Sequence, residues 1–495
     1  MGSPELQSSA TRTLCDWIHG LSLADVPDEQ VTRIKYLILD GLACALIGAR
    51  LPWSASAVEG VLAMEAEGSC SVFGWDTKVG PLAAALLNST FIQGFELDDY
   101  HRSAPIHSSS IILPTLLAAL EHRPSYGADT ATVRQDGAAF LLAAIVGYET
   151  GPRIGLGVYG GDVLSRGWHS GAIFGPAAAA AAASKLFGVG VDSVEDAVGI
   201  ACTQAGGLMA AQYESTVKRM QHGFAARNGL FAALLARSGY AGIKAVLDRP
   251  YGGFLSTFSQ GNGREPAYQP DAVVRGLGTG WEMDQILVKP YASMAATHGT
   301  IDCVVALQEK YPAALLRDVS KIRRITVEMS GIAFKKGGWA PQRPLTATGA
   351  QMSCAYAAAM QLLDGEVQPA QFSAAQLKRE DVWELIGKIH CVHNADWDGD
   401  VKSAWQQRIR LEINDGNGET QVLTERVAAP RGNLVPLSNE EILAKWRRLT
   451  HRVISPERAE AIERLVLSLE EVDDVSQLAH LLVGRTENVV DVDSA

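Results

Sequence analysis

The sequence predicts a mainly α protein: a large all-helical domain that is interrupted by a smaller α+β domain and then completed after it. Three observations predict this. Apolar residues recur at helical spacing through most of the first 280 residues, in segments rich in Ala and Gly. After about residue 285, short runs of β-branched residues with partial alternation take over, and beyond residue 428 the helical pattern returns. With 495 residues and 47% hydrophobic content, the chain can fill more than one core. The expected division is 8–284 and 428–482 for the helical domain, 285–427 for the α+β domain, and 483–495 for a flexible tail.

In PDEQVTRIKYLILDGLACALIGA, Pro27 and Asp28 suit a first turn, and Val31, Ile34, Ile38, Leu42 and Leu46 recur near the helical period. The second half is almost wholly apolar, which predicts burial. Further helices are expected in PLAAALLNSTFIQGFE, SIILPTLLAALEH, GAAFLLAAIVGYETG, GPAAAAAAASKLFG, DSVEDAVGIACTQAG and GFAARNGLFAALLARSG. Their small residues let helices approach closely. KIRRITVEMSGIAF, LIGKIHCVH, QQRIRLEINDG and ETQVLTERV read as strands, INDGNGE carries a hairpin turn signal, and GAQMSCAYAAAMQLLDG reads as a helix among them. NEEILAKWRRL and SPERAEAIERLVLSLEEV close the helical domain.

A net charge of −12 and a pI near 5.5 argue against nucleic-acid or anionic-membrane binding, which need clustered basic surface. The N-terminal stretch lacks a charged region followed by an apolar one, and the longest apolar runs are too short to span a bilayer, so a cytoplasmic protein is expected. Seven dispersed cysteines without a CxxC pair suit reduced thiols.

Cations and histidines stand inside otherwise apolar segments: His107 in FELDDYHRSAPIHSSSIILP, His169 in SRGWHSGAIFGP, Lys218 and His222 in STVKRMQHGFAARNG, and Lys289 in QILVKPYASMAATHG. Gathered by the fold, they would form a pocket for a small polycarboxylate with a titratable acid beside it. Each has a plainer reading, since lysines are usually solvated and a lone histidine is more often structural. Asp98, Asp99, His101 and His107 also resemble a metal-ligand cluster, but no second ligand set accompanies them. GLGVYGGD lacks a preceding strand and an opening helix, against a dinucleotide site. HSSS and GLST do not make a G-x-S-x-G elbow.

The segments YLILDGLACALIGARLPWS, FIQGFELDDYH, VKRMQHGFAARNG and YGGFLSTFSQGNGREP resemble the MmgE/PrpD family and, within it, its fungal cis-aconitate-decarboxylating branch, over residues 10 to 482. The resemblance implies a helical domain plus an α+β lid, an active site between them, a homodimer, and no metal or organic cofactor. It implies decarboxylation of cis-aconitate to itaconate, with a small tricarboxylate as partner. By position, His107 matches the family's proton-donating histidine, Lys218 and Lys289 its pocket lysines, and His169 its second histidine. Glu96, Asp99, Tyr100 and His222 fall among the substrate-pocket residues, the carboxylates orienting lysine or histidine side chains. Tyr100 stands where animal members carry a small hydroxyl residue, and Met294 where several carry histidine or another polar group. A 2-methylcitrate or related hydroxy-acid dehydratase of the same family, and a non-catalytic carboxylate-binding homologue, remain as alternative readings.

Overall fold

The computed structural model describes residues 9–123, 133–212, 215–315, 319–399, 403–414 and 419–490. The chain forms two compact units, one from Met1–Gly94, Asp98–Ile286 and Asn439–Glu487, the other from Phe95–Leu97, Leu287–Ser438 and Asn488–Ala495.

The first unit is helical. Its principal elements are α1 (Asp28–Gly48), α2 (Pro81–Ile92), α3 (Ser108–Glu121), α4 (Gly137–Gly157), α5 (Ser170–Phe187), α6 (Val191–Cys202) and α7 (Gln221–Arg237). In α1 every residue from Leu37 to Gly48 is buried, as the loss of polar residues along that helix predicts. The centre is α5, against which α3, α4, α6 and α7 all pack. Its run Ala177–Ala183 is sealed from solvent. Alanine is the best helix former, and its single methyl lets neighbouring backbones come close. The α5–α7 crossing depends on this: a methyl added at Gly229 would stand 2.3 Å from the Ala179 Cβ and 2.5 Å from the Pro176 carbonyl oxygen. Helix α5 ends on Gly188, whose φ of 64° few other residues adopt without strain.

In the second unit, α8 (His298–Lys310) and α9 (Cys354–Asp364) accompany a four-stranded mixed sheet of β1 (Ile322–Met329), β2 (Ile389–His393), β3 (Gln407–Asn414) and β4 (Thr420–Val427). The order is β2-β1-β3-β4. The β1–β2 pair is parallel and the others antiparallel, with Val327 opposite both Cys391 and Ile409, and Leu411 opposite Leu423. A parallel pair needs a long crossover, and the chain carrying α9 supplies it. Ile325, Val327 and Met329 of β1 and Ile409, Leu411 and Ile413 of β3 are buried, and α8 packs on β3 and β4. The α10 helix (Asn439–Thr450) and α11 (Pro456–Leu467) return to the first unit.

The mainly α class with a smaller α+β part is therefore observed. Locally, two strand expectations were too long. In KIRRITVEMSGIAF the strand stops at Met329, because the Ser330 hydroxyl accepts the Ala333 N–H and caps a helix over Gly331–Gly337. In LIGKIHCVH, Leu385 and Ile386 end a helix, Glu380–Ile386, ahead of β2. The GLGVYGGD segment is followed by a five-residue helix, Gly161–Ser165, contrary to expectation, but α4 rather than a strand leads into it. The expected INDGNGE turn lies at 415–418, outside the described residues, as do residues 1–8 of the N-terminal stretch. Of 483–495, Thr486 is buried and the Glu487 N–H donates to the Val453 carbonyl at 3.0 Å, whereas 491–495 lie outside the described residues. No described helix is long and apolar enough to cross a membrane.

Candidate active site

In the helical unit, three of the singled-out histidines come from three separate helix starts. His107 is the residue capping α3, and His169 occupies the same place before α5. His222 lies in the first turn of α7, directly after the short 3-10 turn Thr216–Met220 that carries Lys218. Because α3, α5 and α7 pack together, their N-terminal ends bring the rings together: the His222 centroid is 5.0 Å from that of His107 and 5.0 Å from that of His169. Gly171 permits the arrangement, since a methyl there would stand 2.1 Å from the His222 Nε2. Lys218 and His169 are buried, 3% and 6% exposed, and His222 is fully enclosed.

The hydrogen bonds assign the tautomer of His222. The Ser110 hydroxyl donates to the His107 carbonyl at 2.9 Å, so towards the His222 Nδ1 at 2.8 Å it accepts. The His222 Nδ1 then carries the hydrogen, and its Nε2 accepts from the Gln93 amide at 3.3 Å. His222 lies between the two other rings.

The acidic loop before His107 divides its work. The Asp98 carboxylate, 1% exposed, places Oδ2 at 3.0 Å from the His107 Nδ1. Asp99 accepts from the Ser109 N–H and from the Ser109 hydroxyl at 2.7 Å, and that hydroxyl also meets Tyr148. The acceptor at the start of α3 is thus the protein's own carboxyl group. Burial first, then the neighbouring Asp98, pushes Asp99 up to about 8 against the opposing Ser109 hydroxyl. Tyr100 is half-buried with its ring 6.2 Å from His107, and burial raises its phenol. Deeper in the same unit Asp40 of α1 pairs with Lys445 of α10 at 2.5 Å, both buried; burial raises Asp40 while Lys445 opposes the shift.

His101, six residues before His107, differs. It is fully buried, its Nδ1 accepts the Ala104 N–H at 2.9 Å, and its Nε2 meets Glu282 at 3.1 Å. Among the described residues no three His, Cys, Asp or Glu side chains are arranged to hold a metal ion.

In the second unit, Lys289 is 3% exposed and donates to the Glu96 carboxylate at 3.0 Å. Met294 donates its N–H to the Gln351 carbonyl, and His298 lies between the Arg431 and Ser293 carbonyls. The structure therefore brings His107, His169, His222 and the loop Asp98–Tyr100 together in the helical unit, and pairs Lys289 with Glu96 in the other. Gln93, Asp98 and Ser110 join the histidine cluster although the sequence reading did not select them as site residues. The signals for Asp98 were its place in the acidic loop and in the metal-like cluster, Ser110 belonged to a serine run at a helix start, and a lone Gln carries none. A cavity of about 510 Å³ at Ser330, Ile332, Trp397 and Trp405, and another of about 440 Å³ at Ser103, Tyr159, Arg264 and Arg275, include none of the selected residues.

Comparison with known proteins bears on what the cluster is for. Residues 12–267 match the MmgE/PrpD N-terminal domain and residues 291–471 the MmgE/PrpD C-terminal domain. The chain is 51% identical over 483 residues to the cis-aconitate decarboxylase-like protein oryM of Aspergillus oryzae, covering 97% of this chain and 98% of that one. It is 46% identical over 480 residues to a cis-aconitate decarboxylase of Aspergillus terreus, covering 96% of each. The Homo sapiens cis-aconitate decarboxylase is 27% identical over 483 residues, covering 96% of this chain and 95% of that one.

Proposed function

This chain belongs to the MmgE/PrpD family, and from that premise we propose that it is a carboxy-lyase converting cis-aconitate to itaconate and carbon dioxide without an organic cofactor. The observation that carries the reading is the near-complete match to a fungal protein named for this activity. The histidine cluster supplies groups suited to the chemistry.

cis-Aconitate loses the carboxylate on its methylene carbon. The carbon–carbon bond breaks, carbon dioxide leaves, and the electron pair spreads over an allylic system conjugated with a remaining carboxylate. Without an electron sink, fixed cations and hydrogen-bond donors must hold that charge. Lys218, Lys289 and His169 are assigned to the substrate carboxylates, where a compact ammonium or an imidazole N–H is apt. The anion then takes a proton at the former vinylic carbon to give itaconate. His107 is assigned as donor, since its Nδ1 is held by Asp98 and its ring keeps partial exposure, 20% of the side chain. One proton is taken from solvent per turnover. Glu96 is assigned to orienting Lys289, Asp99 to anchoring the start of α3, Tyr100 to the pocket beside His107, and His222 to spacing the two outer histidines. We further propose that the enzyme works in the cytoplasm, and, as the family resemblance implies, as a homodimer.

Proton NMR of the purified protein with cis-aconitate in deuterated buffer tests the reading. The expected product is itaconate with one deuterium on its saturated methylene. No reaction with cis-aconitate, together with turnover of 2-methylcitrate, moves the assignment to the dehydratase branch.

A further inference from the structure

We propose that Asp98 is a positioning residue that holds His107 with Nδ1–H toward the carboxylate, leaving Nε2 as the nitrogen that delivers the proton to the substrate anion. The inference rests on the proton-donor role proposed above and goes beyond it by choosing the reacting nitrogen and the group that fixes it.

Three independent contacts restrain His107. Its main chain is tied at the start of α3, where the Ser110 hydroxyl donates to its carbonyl at 2.9 Å. Its ring lies against His222, centroid to centroid 5.0 Å. The Asp98 Oδ2 stands 3.0 Å from Nδ1. A carboxylate accepts and does not donate, so the hydrogen in this bond belongs to Nδ1 whether the ring is neutral or cationic.

The surroundings favour this partner. Asp98 is 1% exposed, and its second oxygen, Oδ1, has no hydrogen-bond partner among the described residues. A buried carboxylate with one oxygen unsolvated holds tightly to the donor it has. The next carboxylate along the loop is committed elsewhere, because both Asp99 oxygens face Ser109. On the other side of the ring, His222 has its own nitrogens engaged by Ser110 and Gln93 and does not compete for Asp98.

In the reaction the Nε2–H bond breaks and its proton forms the new C–H bond on the allylic anion. The Nε2 lone pair is left behind, Nδ1–H stays on Asp98, and Nε2 recovers a proton from solvent. No other reagent is needed.

The test combines the resting protein with turnover. Nitrogen-15 NMR of histidine-labelled, ligand-free protein, with the His107 signals assigned by their loss in His107→Gln, reads the tautomer directly when the ring is neutral. The wild type should show the Nδ1–H form, and Asp98→Asn should lose that preference. In Asp98→Asn, kcat should fall on the order of 100-fold, with KM changed by less than about threefold, and Asp98→Glu should recover part of the rate. An Nε2–H tautomer in the wild type overturns the proposal, as does a folded Asp98→Asn variant with unchanged tautomer or undiminished kcat. Should Asp98→Asn fail to fold, the wild-type tautomer and the Asp98→Glu rate decide. Should the wild type make no itaconate, the proposed function falls, while the tautomer of the resting protein still decides the role of Asp98.

Discussion

In the helical unit His107, His169 and His222 stand ring to ring beside a carboxylate, an amide and a hydroxyl, whereas in the α+β unit His298, fully buried, lies between two backbone carbonyls. The His298 Nδ1 is 3.0 Å from the Arg431 oxygen and its Nε2 is 3.2 Å from the Ser293 oxygen. Backbone carbonyls are fixed acceptors, so His298 staples two loop segments. Around His107 the partner is a titratable side chain, and the ring keeps an exposed edge. Within one loop His101 differs from His107 in another way: it is fully buried, with one nitrogen taken by the Ala104 N–H and the other by the Glu282 carboxylate. His107 is set apart by its exposed ring edge, since His298 and His101 are fully buried with both nitrogens engaged.

The comparison is broken most directly at His107. His107→Gln should reduce itaconate formation at least on the order of 100-fold while circular dichroism and elution volume stay those of the wild type. Near-normal turnover in a folded variant removes His107 from the mechanism. Lys289→Ala should come next, raising KM and lowering kcat together, because a cation on a substrate carboxylate acts in both ground and transition states. It also removes the buried ion pair with Glu96, so its unfolding midpoint should drop; full activity would place Lys289 among structural pairs instead.

In the other unit, His298→Leu should cost stability, about 1–3 kcal/mol for taking the ring's N–H donor from a buried carbonyl, read as a lower urea midpoint. A loss of kcat with unchanged stability would erase the contrast between the units. The most gradual effect, spread over several pH units, concerns Asp99. Its carboxyl is raised to about 8 in the folded protein, above the usual carboxylate value, so the folded state holds a proton that the unfolded chain has released. Its stabilising contribution is whole below about pH 4 and is lost as pH rises towards 8, by up to about 1.4 kcal/mol per pH unit. Asp99→Asn should flatten this decline in urea midpoints between pH 5 and 8.5, and an identical slope would show that Asp99 ionises normally.

How much was legible follows the range of each interaction. The α1 helix could be read because Val31, Ile34 and Ile38 repeat at helical spacing, and its buried half because Leu37–Gly48 holds almost no polar side chain. The strand ending at Met329 was overrun because Ser330 reads as one more polar residue until its hydroxyl is seen to cap the following helix. The selection of His107, His169, Lys218 and Lys289 rested on cations in apolar segments and on the family resemblance. Neither signal pointed to Gln93, whose residue type is common everywhere, and Ser110 was legible only as part of a serine run at the helix start.

By itself the sequence determined the helical and strand periods, the family and the class of chemistry, since these depend on local patterning and on motifs carried whole within short segments. Tertiary structure alone decided that the starts of α3, α5 and α7 converge on one cluster, that His222 is the middle ring, and that Asp98 rather than Asp99 faces His107. Adjacent residues in a loop look alike in sequence. Which of them turns towards a ring nitrogen and which towards a helix N–H is set by packing between segments far apart in the chain, and small residues such as Gly171 and Ala179 make that packing close enough to matter.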